Sequence, residues 1–249
     1  MWNDNDRFQL EVLPDSAAVA WRAAELFTSV CHEAGKQVTV ALSGGSTPRA
    51  LHSLLAASPW RDQISWQRLQ FFWGDERWVP AVHADSNFHM AEETLLSRVP
   101  VTASQIHRVL TESESPDAAA EAYETEIRRS FDIAGSMIPR FDLIVLGMGP
   151  DGHTASLFPR TAALHEATRL VVANAVPQLE TTRITCTVPL INHAKRVMFL
   201  VTGQDKAHAL AEVLQGDRDP EQYPSQLVQP VSGEVRWVVD NAAASLLRH

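Results

Sequence analysis

The sequence predicts an α/β fold, with a largely parallel sheet, helices on both of its faces and a single domain covering residues 1–249. Apolar runs of strand length alternate with stretches of helical pattern along the chain, as in βαβ units. Several runs are continuous apolar blocks, which is typical of strands buried on both faces. With 249 residues, 45% of them hydrophobic, the chain can bury a large core without disulfides or a structural metal.

The predicted elements follow each other in a regular order. Asp15 is a suitable N-cap for the first helix, and Pro48 suits the first turn of the second. The polar, Pro-bearing segments 113–117 and 216–224 are too short to be domain linkers. Strands are predicted at 8–13, 38–42, 69–73, 106–110, 141–146, 169–173, 183–188, 197–201 and 235–239, and helices at 16–33, 48–56, 87–97, 116–131 and 206–214.

The charge balance excludes two classes of partner. Lys and Arg number 21 against 30 Asp and Glu, a formal net charge of -9. Such a chain offers no basic face to nucleic acid or to an anionic membrane, and we expect neither as a partner. Apolar runs fall short of the roughly 20 residues that span a bilayer. Residues 1–6 are polar and acidic, so we expect no export signal and a cytoplasmic protein.

The two cysteines give no sign of a metal or redox site. Cys31 and Cys186 occur in no CxxC or CxH spacing, so zinc, iron–sulfur and dithiol chemistry lack their ligands. We interpret both as small buried hydrophobic residues. We therefore expect no metal site.

In open α/β sheets, ligands bind beyond the carboxyl ends of the strands, so the loops after strands are searched first. The strand at 38–42 is followed by Ser43-Gly44-Gly45-Ser46-Thr47 and then a helix. Two glycines, three hydroxyls and a helix N-terminus can together cradle an anion. The loop is not a Walker A motif, because no Gly-Lys-Ser/Thr follows. A tight turn that only caps the helix is the alternative.

The strand at 141–146 leads into a glycine-rich turn at 147–154 that contains G-x-G-x-x-G. We reject a dinucleotide site, because no acidic residue for the ribose follows about 20 positions later. His153 stands at the mouth of this strand beside Asp151. A histidine there can accept a proton from a substrate at neutral pH. The motif alone leaves catalysis and an ordinary histidine equally open.

Charged residues follow two other strand ends. Asp75, Glu76 and Arg77 come after the strand at 69–73, either as a structural salt-bridge cluster or with Arg77 placed to hold an anion or polarise a carbonyl. Arg183 alternates with threonines on its strand, and Lys206 opens the helix after 197–201. Surface decoration is the alternative for both. With the glycine loop, Arg183 and Lys206 would form a phosphate pocket.

Taken in order, four groups of motifs resemble the 6-phosphogluconolactonase family. They are SGGSTP, GDERWVP with DSNFHM, GMGPDGHTASLFP, and RITCTVPLINHAKRVMFLVTG before Lys206. The wider superfamily of this family includes glucosamine-6-phosphate deaminases. The resemblance implies a Rossmann-like α/β fold and hydrolysis of 6-phospho-D-glucono-1,5-lactone to 6-phosphogluconate in the oxidative pentose phosphate pathway. It also implies no metal and no organic cofactor. The expected partner is this small phosphorylated lactone, and the expected assembly a monomer or small homo-oligomer.

The resemblance also implies roles for individual residues. DGHTASLFP corresponds to the motif of the catalytic histidine, His153, and DER to that of an active-site arginine, Arg77. Asp75 and Asp151 match acidic positions near the site, with roles left open. The positions that correspond to sugar-phosphate contacts are Ser43, Gly44, Gly45, Ser46, Thr47, Arg183 and Lys206.

The sequence argues against two other functions. Deaminases share the DGH turn but continue with Asn-Glu-Pro, whereas this chain continues with 154–159, TASLFP. A catalytically silent sugar-phosphate sensor would be expected to lose His153 or Arg77, and both are present. We therefore predict a hydrolase in which His153 activates water. Asp151 or another carboxylate orients the His153 ring, and Arg77 or loop N–H groups stabilise the oxyanion. The chain has no G-x-S-x-G elbow, so nothing in the sequence indicates a serine nucleophile.

Overall fold

The structure is a computed structural model that describes residues 8–248. The segment 1–6, in which no export signal was expected, and His249 lie outside the described residues. No helix within the described range is long and apolar enough to cross a membrane. The strands of the structure are β1 (Phe8–Leu13), β2 (Val38–Leu42), β3 (Leu69–Trp73), β4 (Asp75–Arg77), β5 (Leu143–Gly147), β6 (Val171–Val176), β7 (Thr181–Cys186), β8 (Arg196–Val201) and β9 (Glu234–Asp240). The α-helices are α1 (Ser16–Glu33), α2 (Ser46–Leu55), α3 (Trp60–Gln63), α4 (Asn87–Thr94), α5 (Pro116–Ser130), α6 (Val188–Asn192) and α7 (Ala207–Gln215).

Six strands form one sheet in the order β1-β9-β8-β5-β2-β3. Every neighbouring pair in it is parallel. The strands that carry the glycine loop and the glycine-rich turn, β2 and β5, are therefore neighbours, and β3 and β8 flank them. This arrangement brings the predicted site loops to one edge of the sheet.

Both faces of this sheet are buried. Alternate residues of a strand point to opposite faces, and Val40 and Leu42 pack under α1 and α2 in one core, whereas Ala41 packs in the other with α5. The strands contribute to two cores, which explains their unbroken apolar sequence. The predicted fold class, a Rossmann-like α/β fold with helices on both faces, is confirmed.

The first helix shows why several predicted boundaries are right. Asp15 is the N-cap of α1, and its side chain accepts a hydrogen bond of 2.8 Å from the backbone N–H of Ala18. The apolar stripe of α1 is fully buried from Val19 to Cys31 at helical spacing. The bounds of α1, β1, β2 and β3 are those predicted, because local signals determine them.

A second, antiparallel sheet corrects the prediction in two respects. Its strands run in the order β4-β7-β6. The sequence predicted Asp75–Arg77 as loop, whereas these residues form a strand paired with Arg183–Thr185 of β7. A three-residue strand carries no periodicity of its own, and its pairing partner lies about a hundred residues away in the sequence. The strands near 169–188 also belong to this sheet and not to the parallel one.

The predicted strand at 106–110 is wrong. Ile106 makes a single parallel bridge with Phe71, in which the His107 N–H donates to the Phe71 carbonyl at 2.8 Å, and residues 108–110 form no strand. His107 explains the divergence, because its ring stacks on Phe72 and bonds to Glu126 of α5 at 2.6 Å. Side-chain contacts therefore hold this segment in place of a strand ladder.

Other predicted boundaries shift by two or three residues. Strand β5 begins at Leu143 instead of residue 141, and β7 ends at Cys186 because Thr187 precedes α6. Helix α4 ends at Thr94, before a short 3₁₀ turn. Helix α2 begins at Ser46, so that Pro48 lies in its first turn. The short helices α3 and α6 were not predicted.

Both cysteines are buried and unpaired, as predicted. Burial raises the pKa of the Cys31 thiol to about 12 and also raises that of Cys186. Neither thiol is a nucleophile at neutral pH, because the thiolate is the reactive form.

Candidate active site

The loops after β8, β5, β2 and β3 enclose a cavity of about 250 Å³. The four strands are neighbours and parallel, so their carboxyl ends open on the same edge of the sheet. Asp151 and Arg183 lie beside this cavity without lining it. The predicted site residues that do line it are Ser43, Gly44, Gly45, Ser46, Thr47, Asp75, Arg77, His153 and Lys206.

The glycine loop presents the uncapped N-terminus of α2 to the cavity. Gly45 has φ +106°, a conformation that favours glycine, and no side chain caps the helix. The first N–H groups of α2 therefore lack intrahelical partners, and they form the positive end of the helix dipole. Thr47 is held by a 2.8 Å hydrogen bond between its hydroxyl and that of Thr202. This end of the cavity suits an anion.

His153 and Asp151 form a hydrogen-bonded pair at the cavity wall. The ring Nδ1 lies 2.6 Å from Asp151 Oδ1, and the ring stacks on Phe158 at a centroid distance of 4.0 Å. Burial alone would raise the pKa of Asp151, but hydrogen bonds from His153 and its charge outweigh burial, and this pKa is lowered. An ionised carboxylate accepts only, so Nδ1 carries the proton and Nε2 is the basic nitrogen.

The turn that carries this pair is supported from a distant loop. Gly152 has φ +77°, and a Cβ there would lie 2.9 Å from the ring of Tyr223. The carbonyl of Gly152 accepts hydrogen bonds from both the N–H (2.9 Å) and the hydroxyl (2.8 Å) of Ser225. Glycine is therefore required at this position, and the Tyr223–Ser225 loop fixes the direction of the turn.

Strand β4 carries two charged side chains into the cavity. Asp75 is buried, and its Oδ2 accepts a 2.6 Å hydrogen bond from the Ser156 hydroxyl. The guanidinium of Arg77 donates through Nη1 to the carbonyl of Asp85 at 2.6 Å. The Asp75–Ser156 bond links β4 to the loop of His153, so the positions of the two walls are coupled.

Two guanidinium groups lie side by side next to the cavity. Arg183 is paired directly with Arg77 in the β4–β7 ladder, which puts their side chains on the same face. The Nε atoms of both are buried without a hydrogen-bond partner among the described residues. Burial, and next the charge of Arg77, lower the pKa of Arg183. The two adjacent guanidiniums give this side of the cavity positive charge, which suits an anion.

Lys206 completes the basic side of the cavity. It lines the cavity from the 3₁₀ turn after β8, and its ammonium lies 2.8 Å from Asp205. Within residues 8–248, no cluster of three or more His, Cys, Asp or Glu side chains is placed to hold a metal ion.

A family model described as glucosamine-6-phosphate isomerases/6-phosphogluconolactonase matches residues 14–237. The chain belongs to this family. Among curated relatives, 6-phosphogluconolactonase of Synechocystis sp. is 45% identical over 213 residues, 85% of each chain. The enzyme of that name from Nostoc sp. is 42% identical over 241 residues, 96% of this chain and 98% of the relative.

Solved structures of the family share the fold. 6-phosphogluconolactonase from Trypanosoma cruzi aligns with a TM-score of 0.86 at 29% identity, over 100% of this chain and 99% of that one. A monomeric glucosamine-6-phosphate deaminase aligns with a TM-score of 0.80 at 20% identity, over 96% and 99%. The second likeness is evidence for the fold alone, since one fold hosts several activities.

In this member of the family, nine of the eighteen residues that line the cavity are predicted site residues, and the others were not predicted. Asn87 lines the cavity and donates to the Asp75 carbonyl at 2.9 Å, although the sequence indicated only a helix start there. Thr202 and Ala155 also line it. Asn87 follows the Asp-Ser pair that marks the start of α4, and the contact it makes with β4 has no sequence signal.

Proposed function

We propose that this chain hydrolyses 6-phospho-D-glucono-1,5-lactone to 6-phosphogluconate, the reaction of the oxidative pentose phosphate pathway. The observation that carries the proposal is the 2.6 Å Asp151–His153 pair on the wall of a cavity that also contains the uncapped N-terminus of α2 and Arg77. A base, an oxyanion donor and an anion site are the parts that hydrolysis of a phosphorylated lactone needs. The names of the curated relatives support the same activity.

His153 serves as the general base in this proposal. Its Nε2 removes a proton from water as the oxygen attacks the lactone carbonyl carbon. The resulting imidazolium is stabilised by Asp151 and returns the proton to the ring oxygen when the C1–O5 bond breaks. The product is the open-chain acid, which then loses its proton. General-base catalysis of this kind contributes about 100- to 10,000-fold.

Arg77 stabilises the negative charge that develops on the carbonyl oxygen. Its guanidinium lines the cavity and is oriented by the Asp85 carbonyl. A fixed donor of this type contributes in the transition state more than in the ground state, because the full charge forms only there. In this proposal Asp75, whose Oδ2 accepts a hydrogen bond from Ser156, also accepts one from a sugar hydroxyl.

The phosphate group binds at the basic end. The N–H groups of α2, the hydroxyls of Ser43, Ser46 and Thr47, and Lys206 surround this end, and Arg183 adds positive charge from the neighbouring strand. Binding energy from the phosphate, which does not react, then positions the ring for attack.

The direct test is lactone hydrolysis by the purified protein. Glucose-6-phosphate dehydrogenase generates the lactone in situ, and proton release is followed with and without the protein. We expect micromolar protein to remove the lactone well above the spontaneous rate. A rate equal to the spontaneous one, with folded protein present, contradicts the proposal.

A further inference from the structure

Glu76 is a buried carboxylate between two residues of the proposed site. It is 2% exposed, lies on β4 between Asp75 and Arg77, and does not line the cavity. Successive side chains of a strand point to opposite faces, so Glu76 points away from the substrate. The mechanism above gives it no role.

The carboxylate of Glu76 accepts four hydrogen bonds. Oε1 accepts from the N–H groups of Arg77 and Asn87, both at 2.7 Å. Oε2 accepts from the N–H of Phe88 at 2.8 Å and from the hydroxyl of Ser86 at 3.1 Å. One side chain thereby joins β4 to the segment 86–88, which begins α4.

The start of α4 compensates the charge of Glu76. Asn87 and Phe88 are the first residues of the helix, where N–H groups lack intrahelical partners and the helix dipole favours a negative charge. Burial raises the pKa of Glu76, and the three backbone hydrogen bonds oppose this shift. The Glu76 carboxylate thus caps the N–H groups of Asn87 and Phe88. The Ser86 hydroxyl accepts from the N–H of His89 and caps the helix at that position.

The same segment holds the guanidinium of Arg77. The carbonyl of Asp85, the residue before Ser86, accepts from Arg77 Nη1 at 2.6 Å. The chain between Arg77 and Asp85 is therefore a loop whose two ends are joined by Glu76, and the acceptor that orients the guanidinium sits at one of those ends. Releasing segment 86–88 from Glu76 would release this acceptor too.

Asn87 extends the connection to Asp75. The Asn87 Nδ2 donates to the Asp75 carbonyl at 2.9 Å and lies 3.3 Å from Asp75 Oδ1. The backbone N–H of Asn87 is bound by Glu76. Asp75 is therefore connected to the Glu76 carboxylate through Asn87.

We propose that Glu76 is a positioning residue of the active site, which fixes segment 85–88 and through it orients the Arg77 guanidinium for oxyanion stabilisation. The inference rests on the proposed lactonase function. Glu76 lies outside the cavity, and it contributes to kcat by orienting Arg77. Glu76 neither touches substrate nor exchanges protons with it.

The first test is Glu76→Gln, which keeps the shape but removes the charge and sets an amide NH₂ against N–H donors. Losing one oxyanion donor costs about 100- to 1,000-fold in kcat, and a misdirected donor should cost less, about 10- to 100-fold. We expect this loss in kcat with KM changed by less than about threefold. The matched control is Glu124→Gln.

Glu124 is also a buried glutamate, 8% exposed, whose Oε2 accepts from the N–H of Leu170 and from the Arg169 side chain. It lies on α5, outside the cavity. Glu124→Gln should lower the thermal midpoint as Glu76→Gln does, with kcat within about threefold of wild type. Equal kcat losses in the two variants overturn the proposal, because they indicate a general effect of stability.

A double-mutant cycle tests whether Glu76 acts through Arg77. Residues in one network give non-additive effects, so Glu76→Gln should lower kcat by less than about threefold in an Arg77→Ala background. The full loss in that background overturns the proposal. A wild-type protein without lactonase activity overturns the proposed function as well, whereas an active wild type with an unaffected Glu76→Gln overturns the Glu76 inference alone.

If Glu76→Gln does not fold, Ser86→Ala replaces it. This change removes one donor to Glu76 Oε2 and the N-cap of α4. The matched control is Ser115→Ala, which removes the N-cap of α5, where Ser115 accepts from the N–H of Ala118. Both lose a cap worth about 1 kcal/mol, and we expect kcat to fall, by about three- to tenfold, in Ser86→Ala alone. Equal kcat values for the two variants overturn the proposal.

Discussion

The side chain of His153 is confined by its neighbours in sequence. Phe158 stacks on one side of the ring, Asp151 binds Nδ1, and the backbone of Gly149 lies against the same edge. The N–H of Gly149 also donates to the carbonyl of His153 at 2.8 Å. A ring held in this way presents Nε2 in a fixed direction, which general-base catalysis requires.

Gly149→Ala should disturb this arrangement at once. A Cβ at residue 149 would overlap the His153 ring and lie 2.6 Å from Asp151 Oδ1. The pair must separate or rotate, so we expect kcat to fall about 10- to 100-fold, part of the general-base contribution. Steady-state kinetics on the phosphorylated lactone measure it.

The control for this variant is Gly35→Ala. A Cβ at Gly35 meets nothing within 4 Å, and the residue is exposed. It should leave kcat within about twofold of wild type. An unchanged kcat in Gly149→Ala would show that the Asp151–His153 contact does not limit the reaction.

At this scale, the sequence predicted residues whose partners are close in the chain. Asp151 and His153 are two residues apart and on one turn, so their contact could be expected. Ser225, which supports the same turn, lies more than seventy positions later and carries no motif. Glu76 was visible in the DER motif, yet its four hydrogen-bond donors are set by the fold of the segment 77–88.

Secondary-structure elements position the site through their packing, and α2 is the clearest case. Its N-terminus faces the cavity while its other face contacts α1 and α4. His52 lies on this buried face, 1% exposed, with Nδ1 3.3 Å from the hydroxyl of Thr94. Burial, and next the charge of Arg49, lower the pKa of His52 to about 4.

The lowered pKa of His52 predicts a pH-dependent stability. Histidine in the unfolded chain has a pKa of about 6.5. As the pH falls below 6.5, the unfolded state therefore binds a proton at His52 that the folded state does not bind, and the folded state loses stability relative to it. The contribution of His52 is present above pH 6.5 and is lost progressively down to about pH 4. The shift corresponds to about 3 kcal/mol in the free energy of unfolding.

Urea unfolding at pH 7 and pH 4.5 measures this contribution in wild type and His52→Gln. The decrease in free energy of unfolding between the two pH values should be smaller in the variant by roughly 2 kcal/mol. His165→Gln, at an exposed position, should behave like wild type. The same decrease in His52→Gln as in wild type contradicts the assignment.

Elements with strong local signals were predicted, and elements defined by distant partners were not. Helix α1 has an N-cap and an unbroken apolar stripe, and its bounds are right. Strand β4 has three residues and exists through its pairing with β7. The segment 106–110 has a strand-like apolar pattern, but it pairs with β3 through one bridge alone, while the buried His107 side chain bonds to α5 and Gln70.

For the whole molecule, an acidic net charge coexists with a cluster of basic side chains at the cavity. The formal net charge is -9, while Arg77, Arg183 and Lys206 gather at one end of the sheet. This arrangement suits the small anionic substrate proposed. The sequence predicted the fold class, and it predicted that these loops meet at one edge of the sheet, because parallel strands bring their carboxyl ends together there.

The basic end predicts a dependence on the phosphate group. Arg183→Ala should raise KM for the phosphorylated lactone about 10-fold, because a positive charge beside the proposed phosphate site is lost, with a smaller effect on kcat. Unphosphorylated gluconolactone should be a poor substrate, with the same kcat/KM in both proteins. Steady-state kinetics with the two lactones measure this.

Arg140→Ala is the control for the phosphate experiment. Arg140 precedes β5 at the opposite end of the strand from the cavity, and its guanidinium bonds to the Ser232 carbonyl. Both lactones should be hydrolysed by this variant as by wild type. Equal turnover of the two lactones by the wild-type protein would refute a phosphate pocket.

The central claim, that His153 activates water for lactone hydrolysis, is tested most directly by the kcat of His153→Ala on 6-phospho-D-glucono-1,5-lactone, with the exposed His165→Ala as control. We predict a kcat lower by about 100- to 10,000-fold with a modest change in KM, and a control equal to wild type. A kcat for His153→Ala within a few-fold of wild type would remove His153 from this role.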